Sequence, residues 1–490
     1  MKSRSVLSAL AVCAVLAPLT GCGDGTADRE PPPSGGASSA TGVPGVPAES
    51  RRPAPGKGSE DPDDLNGDGF RDLVVPVSLG DGHDTTRIDG RVAVVHGSAK
   101  GLDPSTRTVH GRRELGLPSS PQDHAEPGSV SRKAVVTADP DGDGFPDAVT
   151  SVALGTAEDG GVSASRTVPL VTWGGPGGPV AKGGASEVRL PRSVSELGVE
   201  SVVRGDLDGD GHHDLAALAQ NHSSMVLLHG PFTRAGAPAR SDTGLPWQEG
   251  TLVADDIDPS GGPRATSLLL HRPSDGEQSG NLLYPARVGA PLSGESTRLR
   301  AGNAHAFGDF DGDGRRDVAV GDDGARNNEP GYETEAPEVD GSLTVYPGDG
   351  GEPVTHRLPE VPEDVNTYYG PGGFAAADPD GDGRDGILVA TYEGATLIDG
   401  DRRTAVLRRG PAKADGRRTP ARWRHARPVG AADFDGDGKD ELILNRGPGG
   451  LFGHYGERPT HWWITEGTTS RDRTSFRTTS GFGTPEDEGR

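Results

Sequence analysis

The residues best placed to do chemistry are acids spaced two apart. Asp64-Leu-Asn66-Gly-Asp68-Gly-Phe-Arg-Asp72 puts oxygen-bearing side chains at positions 1, 3, 5 and 9 of a nine-residue segment. The pattern returns with Asp139, Asp141, Asp143 and Asp147, then with Asp206, Asp208, Asp210 and Asp214. It returns again with Asp309, Asp311, Asp313 and Asp317, and with Asp433, Asp435, Asp437 and Glu441. A sixth copy carries Asp378, Asp380 and Asp382 but has Gly386 at position 9, with Asp385 one residue early. The seventh, from Asp256 to Arg264, keeps only Asp256 and Asp258. A tight turn brings alternate side chains to one point, and glycine at position 6 permits the bend. Calcium suits such a cluster, since it takes six to eight oxygens in flexible geometry. Position 7 would add a backbone carbonyl, from Phe70, Phe145, His212, Arg315, Arg384 or Lys439. Three or four carboxylates packed without a cation would repel one another. About five or six structural calcium ions are therefore expected, with the Asp256 loop empty.

These loops need strands, not helices, to hold them. An EF-hand or dockerin closes its cage with an acid at position 12 and flanks it with helices. Here position 12 is Val75, Thr150, Ala217, Val320, Val389 or Leu444, inside β-type runs such as LVVPV, AVTSVAL and LAAL. The loop starts are separated by 75, 67, 50, 53, 69 and 55 residues, which reads as a fixed unit carrying variable insertions. Each unit reads as strand, acidic loop, strand, turn, strand, turn, strand. In the second unit the strands fall at 134–138, 148–154, 168–173 and 187–190; other third strands fall at 91–96, 225–229 and 342–346. Four short antiparallel strands repeated seven times predict an all-β, seven-bladed β-propeller over 61–483, followed by a tail over 484–490. The first unit lacks an apolar strand before Asp64, and Ser480-Gly-Phe482-Gly483 is expected to supply it and so close the ring.

Composition narrows the setting. Gly (77) and Pro (42) are abundant among 490 residues, as turn-dense β structure requires. A formal charge of −24 argues against nucleic acid as a partner, because phosphate binding needs a basic face. Lys2 and Arg4 precede an apolar run from Val6 to Leu16, too short to span a bilayer and suited to a signal peptide over 1–21. Leu19-Thr20-Gly21-Cys22 resembles a lipobox, which implies lipidation of Cys22 and an extracytoplasmic, membrane-anchored protein; a monomer is expected. Residues 22–60 are rich in Pro, Gly and Ser and read as a disordered tether; its flexible part would span about 35 Å. Cys13 and Cys22 are the only cysteines, so no disulfide is expected in the exported chain, and bound metal is the natural substitute.

The cores GDLDGDGHHDL and GDFDGDGRRDV, with later segments such as GRVAVVHGSAKGL and GSLTVYPG, resemble the FG-GAP repeats of integrin α-subunits and of VCBS-type bacterial surface proteins. The resemblance implies calcium between the first and second strands of each blade, on one face of the disc, with ligands on the opposite face or at blade junctions. The function expected from it is a calcium-stabilised binding or adhesion module recognising a protein or polysaccharide. A lectin or carbohydrate-active enzyme on the same scaffold is the alternative. The chain contains no G-x-S-x-G elbow, H-E-x-x-H pair or phosphate loop, so no catalytic residue is assigned. Trp173, Trp247, Trp423, Trp462 and Trp463 could form aromatic platforms, but packing is their commoner role. The tripeptide Arg204-Gly205-Asp206 matches an adhesion motif, yet Asp206 opens an acidic loop and should face inward. An acidic insertion at 321–341 is a further possible recognition loop.

Overall fold

The computed structural model describes residues 43–77, 91–118, 135–159, 162–181, 183–260, 262–272, 279–324, 339–360, 373–414, 417–419, 421, 424–447, 459–479 and 481–483. Cys22, Trp423, the tail 484–490 and most of the acidic insertion lie outside them.

Short apolar runs separated by Gly-rich turns can only pair locally, and they do. Seven antiparallel sheets form a ring, and the described residues contain no α-helix. Blade 1 comprises Leu73–Val77, Arg91–Val95 and Arg107–His110. Blade 2 comprises Val135–Ala138, Asp147–Asp159, Val162–Thr172 and Ser186–Glu187; blade 3 comprises Val203–Gly205, Asp214–Leu218, Ser224–His229 and Arg240–Pro246. Blade 4 runs Thr251–Ala254, Leu268–His271, Asn281–Tyr284 and Thr297–Leu299, and blade 5 runs Ala304–Gly308, Asp317–Gly321, Ser342–Tyr346 and Val354–Arg357. Blade 6 has Phe374–Ala377, Gly386–Thr391, Gly394–Asp399 and Arg402–Val406; blade 7 has Arg427–Ala432, Glu441–Arg446, His461–Thr465 and Asp472–Arg477. Each strand pairs with its sequence neighbour, so every blade is a meander. In blades 2 to 7 the acidic loop enters the second strand, as the spacing predicts, and in three-stranded blade 1 it enters the first, Leu73–Val77.

The core lies between blades. Seven apolar clusters occupy the seven junctions, for example Val149 and Val171 of blade 2 against Leu215 and Val226 of blade 3. A sheet buried on both faces needs apolar residues at successive positions, and Ser224–His229 and Gly386–Thr391 are buried throughout.

Two segments differ from expectation. The sheet of blade 1 has three strands, and the C-terminal segment adds none. Phe482 instead inserts its ring into the junction of blades 7 and 1, fully buried beside Phe476 at a centroid distance of 5.7 Å. Arg107 caps that ring at 4.4 Å and donates from Nε to the Phe482 carbonyl at 2.7 Å. Closure here is by side chain, because Gly481 and Gly483 flank a single aromatic and offer no run of residues to pair. Residues 43–60, tether-like in composition, run along the propeller: Val46 packs on the same cluster, and Arg51 exchanges backbone hydrogen bonds with Ser105 and Arg107 at 2.7 and 2.9 Å.

Candidate metal centres

Six loops share one hydrogen-bonding plan. The position 1 carboxylate organises the turn: Asp309 Oδ1 accepts from the Asp313 N–H at 3.0 Å and Oδ2 from Gly314 at 2.8 Å. Asp64, Asp139, Asp206, Asp378 and Asp433 accept from the matching residues of their own loops. Position 5 accepts from the N–H of position 7, as in Asp210 to His212 at 2.9 Å. Glycine at position 6 is forced by geometry, since Gly69, Gly144 and Gly211 all have φ between 82° and 91°.

Position 9 has a second task. Asp72, Asp214, Asp317 and Glu441 accept the N–H of position 2 at 2.8–3.0 Å. Asp72, Asp214 and Asp317 also accept the N–H of a glycine just beyond the strand next in sequence to the one they enter, from Gly97, Gly230 and Gly348. The buried acid thus ties its loop to the sheet. Asp147 keeps the bond from Gly174 but lacks the other, because position 2 is Pro140, which has no N–H. Blade 6 has lost both halves, with Pro379 at position 2 and Gly386 at position 9. Asp385 does not substitute: it faces the neighbouring blade, where Oδ2 accepts the Asp309 N–H at 2.8 Å.

The loops gather carboxylate oxygens within 4.8 Å of one another in the sets Asp139–Asp141–Asp147, Asp206–Asp208–Asp210, Asp309–Asp311–Asp317 and Asp378–Asp380–Asp382. Asn66 Oδ1, Asp141 Oδ1 and Asp208 Oδ1, all at position 3, are buried without a hydrogen-bond partner, and so is Asp147 Oδ2. Burial and neighbouring carboxylates push Asp147 up to about 9, Glu441 to about 7, and Asp64, Asp139 and Asp317 to about 6. Orphaned inward oxygens, in loops whose position 1 or position 9 acids are pushed up, are what a cation would satisfy, and an all-oxygen donor set fits a hard divalent ion.

Sequence reasoning missed two groups of residues here. His96, just after the second strand of blade 1, and His229, the last residue of the third strand of blade 3, place Nδ1 3.0 Å from Asp72 and Asp214 respectively. The recurrent His-Gly in VVHG and LLHG was the available signal. Arginines also settle on the loops: Arg234 on Asp141 and Asp143, Arg240 on Asp208, and Arg473 on Asp435 and Glu441.

The degenerate loop is spent differently. Asp256 accepts from Arg204 at 2.7 Å, and Arg204 also pairs with Asp63 and donates to the Thr137 carbonyl, so residues from blades 1 to 4 meet where the first strands converge. Arg71 joins them through Asp61 at 2.9 Å and Asp256 at 3.7 Å. Against burial, which alone would raise it, the Arg204 guanidinium holds Asp63 well below the usual carboxylate range. Both ends of the adhesion-like tripeptide are therefore engaged, Arg204 in this network and Asp206 in its loop. Trp462 and Trp463 are buried core, whereas Trp173 and Trp247 are half-buried.

No protein-family model and no curated protein matches the chain. Among solved structures it is similar to a lectin from Agrocybe aegerita described as recognising non-reducing terminal N-acetylglucosamine: TM-score 0.42, 14% identity, 84% of this chain and 91% of that one. It is also similar to the BBS1 N-terminal region solved in complex with ARL6, with TM-score 0.38, 10% identity, and 87% and 96% of the two chains. The Vibrio cholerae biofilm matrix protein Bap1 gives TM-score 0.28 at 12% identity, over 87% and 99%.

Proposed function

We propose that this chain is a calcium-stabilised binding propeller of the FG-GAP type, held outside the cell membrane through a lipid on Cys22 and recognising a protein or polysaccharide. The observation that carries this reading is the set of orphaned position 3 oxygens, repeated at the same place in three blades. Calcium in the six loops would tie each loop to the strand it enters and replace absent disulfide crosslinks. The acids are accounted for as loop ligands and braces, which favours a binding module over an enzyme. Sites of extracellular type bind calcium at about 10⁻⁴ to 10⁻³ M, sufficient outside a cell. Calorimetric melting of the soluble fragment in excess chelator and in millimolar calcium tests the reading. A large rise in melting temperature with calcium is expected, and equal melting in both would overturn it. Pull-down of surface components on the calcium-loaded fragment would then identify the partner.

A further inference from the structure

The loop joining the third and fourth strands of blade 2 bounds a cleft of about 620 Å³. Its apolar wall is Phe145, Trp173 and Val180, the last of these 51% exposed although a valine normally seeks cover. Glycines make much of the remainder. Gly174 is required by a close approach, since a Cβ there would lie 2.4 Å from the Pro146 carbonyl. Gly177, by contrast, faces open space, so the lack of a side chain leaves its backbone bare towards the cleft.

The indole is held in place. Trp173 Nε1 donates to Ser186 Oγ at 2.9 Å, and that hydroxyl donates to the Arg234 carbonyl at 2.8 Å, so ring and arginine share one support. Arg234 comes from blade 3, on a turn whose Gly236 carbonyl accepts the Arg189 N–H at 2.8 Å. Its guanidinium lies 5.7 Å from the Trp173 ring centre, donates from Nε to Asp141 Oδ2 at 2.6 Å and pairs with Asp143. Asp141 and Asp143 are positions 3 and 5 of the acidic loop; the half-exposed guanidinium holds Oδ2 of each, and Asp143 Oδ2 is the oxygen its turn leaves open to a cation, while Asp141 Oδ1 stays unpaired.

The geometry points to a cation-gated site for an acidic saccharide in this cleft. The inference rests on the reading of the loops as calcium sites. With Asp143 Oδ2 and Asp141 Oδ1 turned to a cation, Arg234 loses its Asp143 partner, is repelled by the new charge beside it, and moves off the indole face. Its planar fork then pairs with a ligand carboxylate in the bidentate geometry such groups favour. The uncovered indole and Val180 receive the apolar face of a pyranose ring, and bare backbone along the glycine wall meets its hydroxyls. An open, shallow wall with one aromatic plate and one cation suits a uronate better than an acidic peptide, whose extended backbone would need an unpaired strand edge. Coupling must be reciprocal, so the saccharide tightens calcium at this loop by the same factor that calcium tightens the saccharide.

The test is titration of the soluble fragment with methyl β-glucuronide, followed by tryptophan fluorescence and calorimetry, in calcium and in chelator. Methyl β-glucoside and acetyl-aspartate serve as comparison ligands. Binding is expected only with calcium, at least tenfold tighter for the glucuronide than for either comparison ligand, and lost in Arg234→Gln. The same variant should bind calcium several-fold more tightly at one site, since a competing cation is gone. The inference is overturned if glucuronide binds equally in chelator, if Arg234→Gln binds it unchanged, or if acetyl-aspartate binds better. Absence of glucuronide binding in a protein that calcium still stabilises overturns this inference alone. Absence of any calcium effect overturns the loop reading as well.

Discussion

A single missing N–H leaves one position 9 acid strongly perturbed. In blades 1, 3, 5 and 7 the position 9 acid accepts from position 2, but Pro140 leaves Asp147 Oδ2 buried and unpaired. Burial, then the charges of Asp141 and Asp139, push Asp147 up to about 9. A carboxyl whose folded pKa lies above its unfolded value of about 4 keeps its proton only in the folded chain, throughout the window between the two. The folded state then binds more protons, so stability falls as pH rises through that window. Metal-free protein should accordingly lose melting temperature steadily from pH 5 to 9, and calcium should flatten the slope and release protons on binding. Pro140→Leu restores the residue type found in the Asp64 and Asp206 loops and returns an N–H to Asp147. A hydrogen bond to a charged group contributes about 1.5–3 kcal/mol, offset by about 0.4–1 kcal/mol for the proline's effect on the unfolded chain. The variant should therefore gain roughly 1 kcal/mol in chelator above pH 9, where the carboxyl is charged, gain little at pH 7 where it is protonated, and show a shallower slope, read by denaturant titration across pH. A slope unchanged by the substitution would remove Asp147 as its source.

The elements that hold the loops are short, and one of the closing elements is no strand at all. Phe482 fills the last junction with Phe476, Trp462 and Phe434, and Arg107 covers it. Phe→Ala at a buried site costs about 3–5 kcal/mol, so Phe482→Ala should lower the melting temperature by several degrees with or without calcium and leave the calcium count unchanged. A lowered calcium count would mean that the closing contact also shapes a loop. The blades themselves were legible because Gly-rich turns and apolar runs are local signals. The third strand Ser342–Tyr346 falls where the sequence places it, and the second strand of blade 2 begins one residue before the predicted start. Phe482 was marked by its flanking glycines as repeat-like, yet whether an aromatic pairs as a strand or packs as a plug depends on partners more than 370 residues away. A separation of 76 residues likewise hid Asp385: its position beside Gly386 suggests a displaced ligand, whereas it reaches back to Asp309 on the preceding blade. The role of position 9 was half visible, since its acidity marks a ligand but its bonds to Gly97, Gly230 and Gly348 arise only once the next strand lies alongside.

At the scale of the whole ring, each junction cluster joins only neighbouring blades, so contacts across the centre must come from elsewhere. Arg204 supplies them, joining Asp63 before blade 1, Thr137 in blade 2 and Asp256 after the first strand of blade 4. Arg316 extends the chain of charges from Asp255 to Asp385, which in turn holds Asp309. In this light the decay of the Asp256 loop is a change of use: Arg264 at its position 9 donates to the Asp256 carbonyl at 2.6 Å, and its first carboxylate serves Arg204 instead of a cation. Breaking one side of a fully buried ion pair leaves uncompensated charge and costs about 3–5 kcal/mol; with Arg204, Asp63 and Asp256 only part-buried, solvent screening reduces that to about 1–3 kcal/mol. Arg204→Met should therefore destabilise the fragment by about that amount at pH 7, in chelator as well as in calcium. It strands two carboxylates, and Asp63, now freed from the guanidinium that holds its pKa down, should rise with burial and take up a proton as the solution is acidified. The penalty should shrink towards pH 5, and the triple variant Arg204→Met, Asp63→Asn, Asp256→Asn should recover most of the loss at neutral pH. Calcium stoichiometry should stay the same throughout, because neither Asp63 nor Asp256 belongs to the six loops that share the common plan. If the triple variant is no more stable than Arg204→Met, the network acts through arginine packing and hydrogen bonds, and its charges are incidental to closing the centre of the ring.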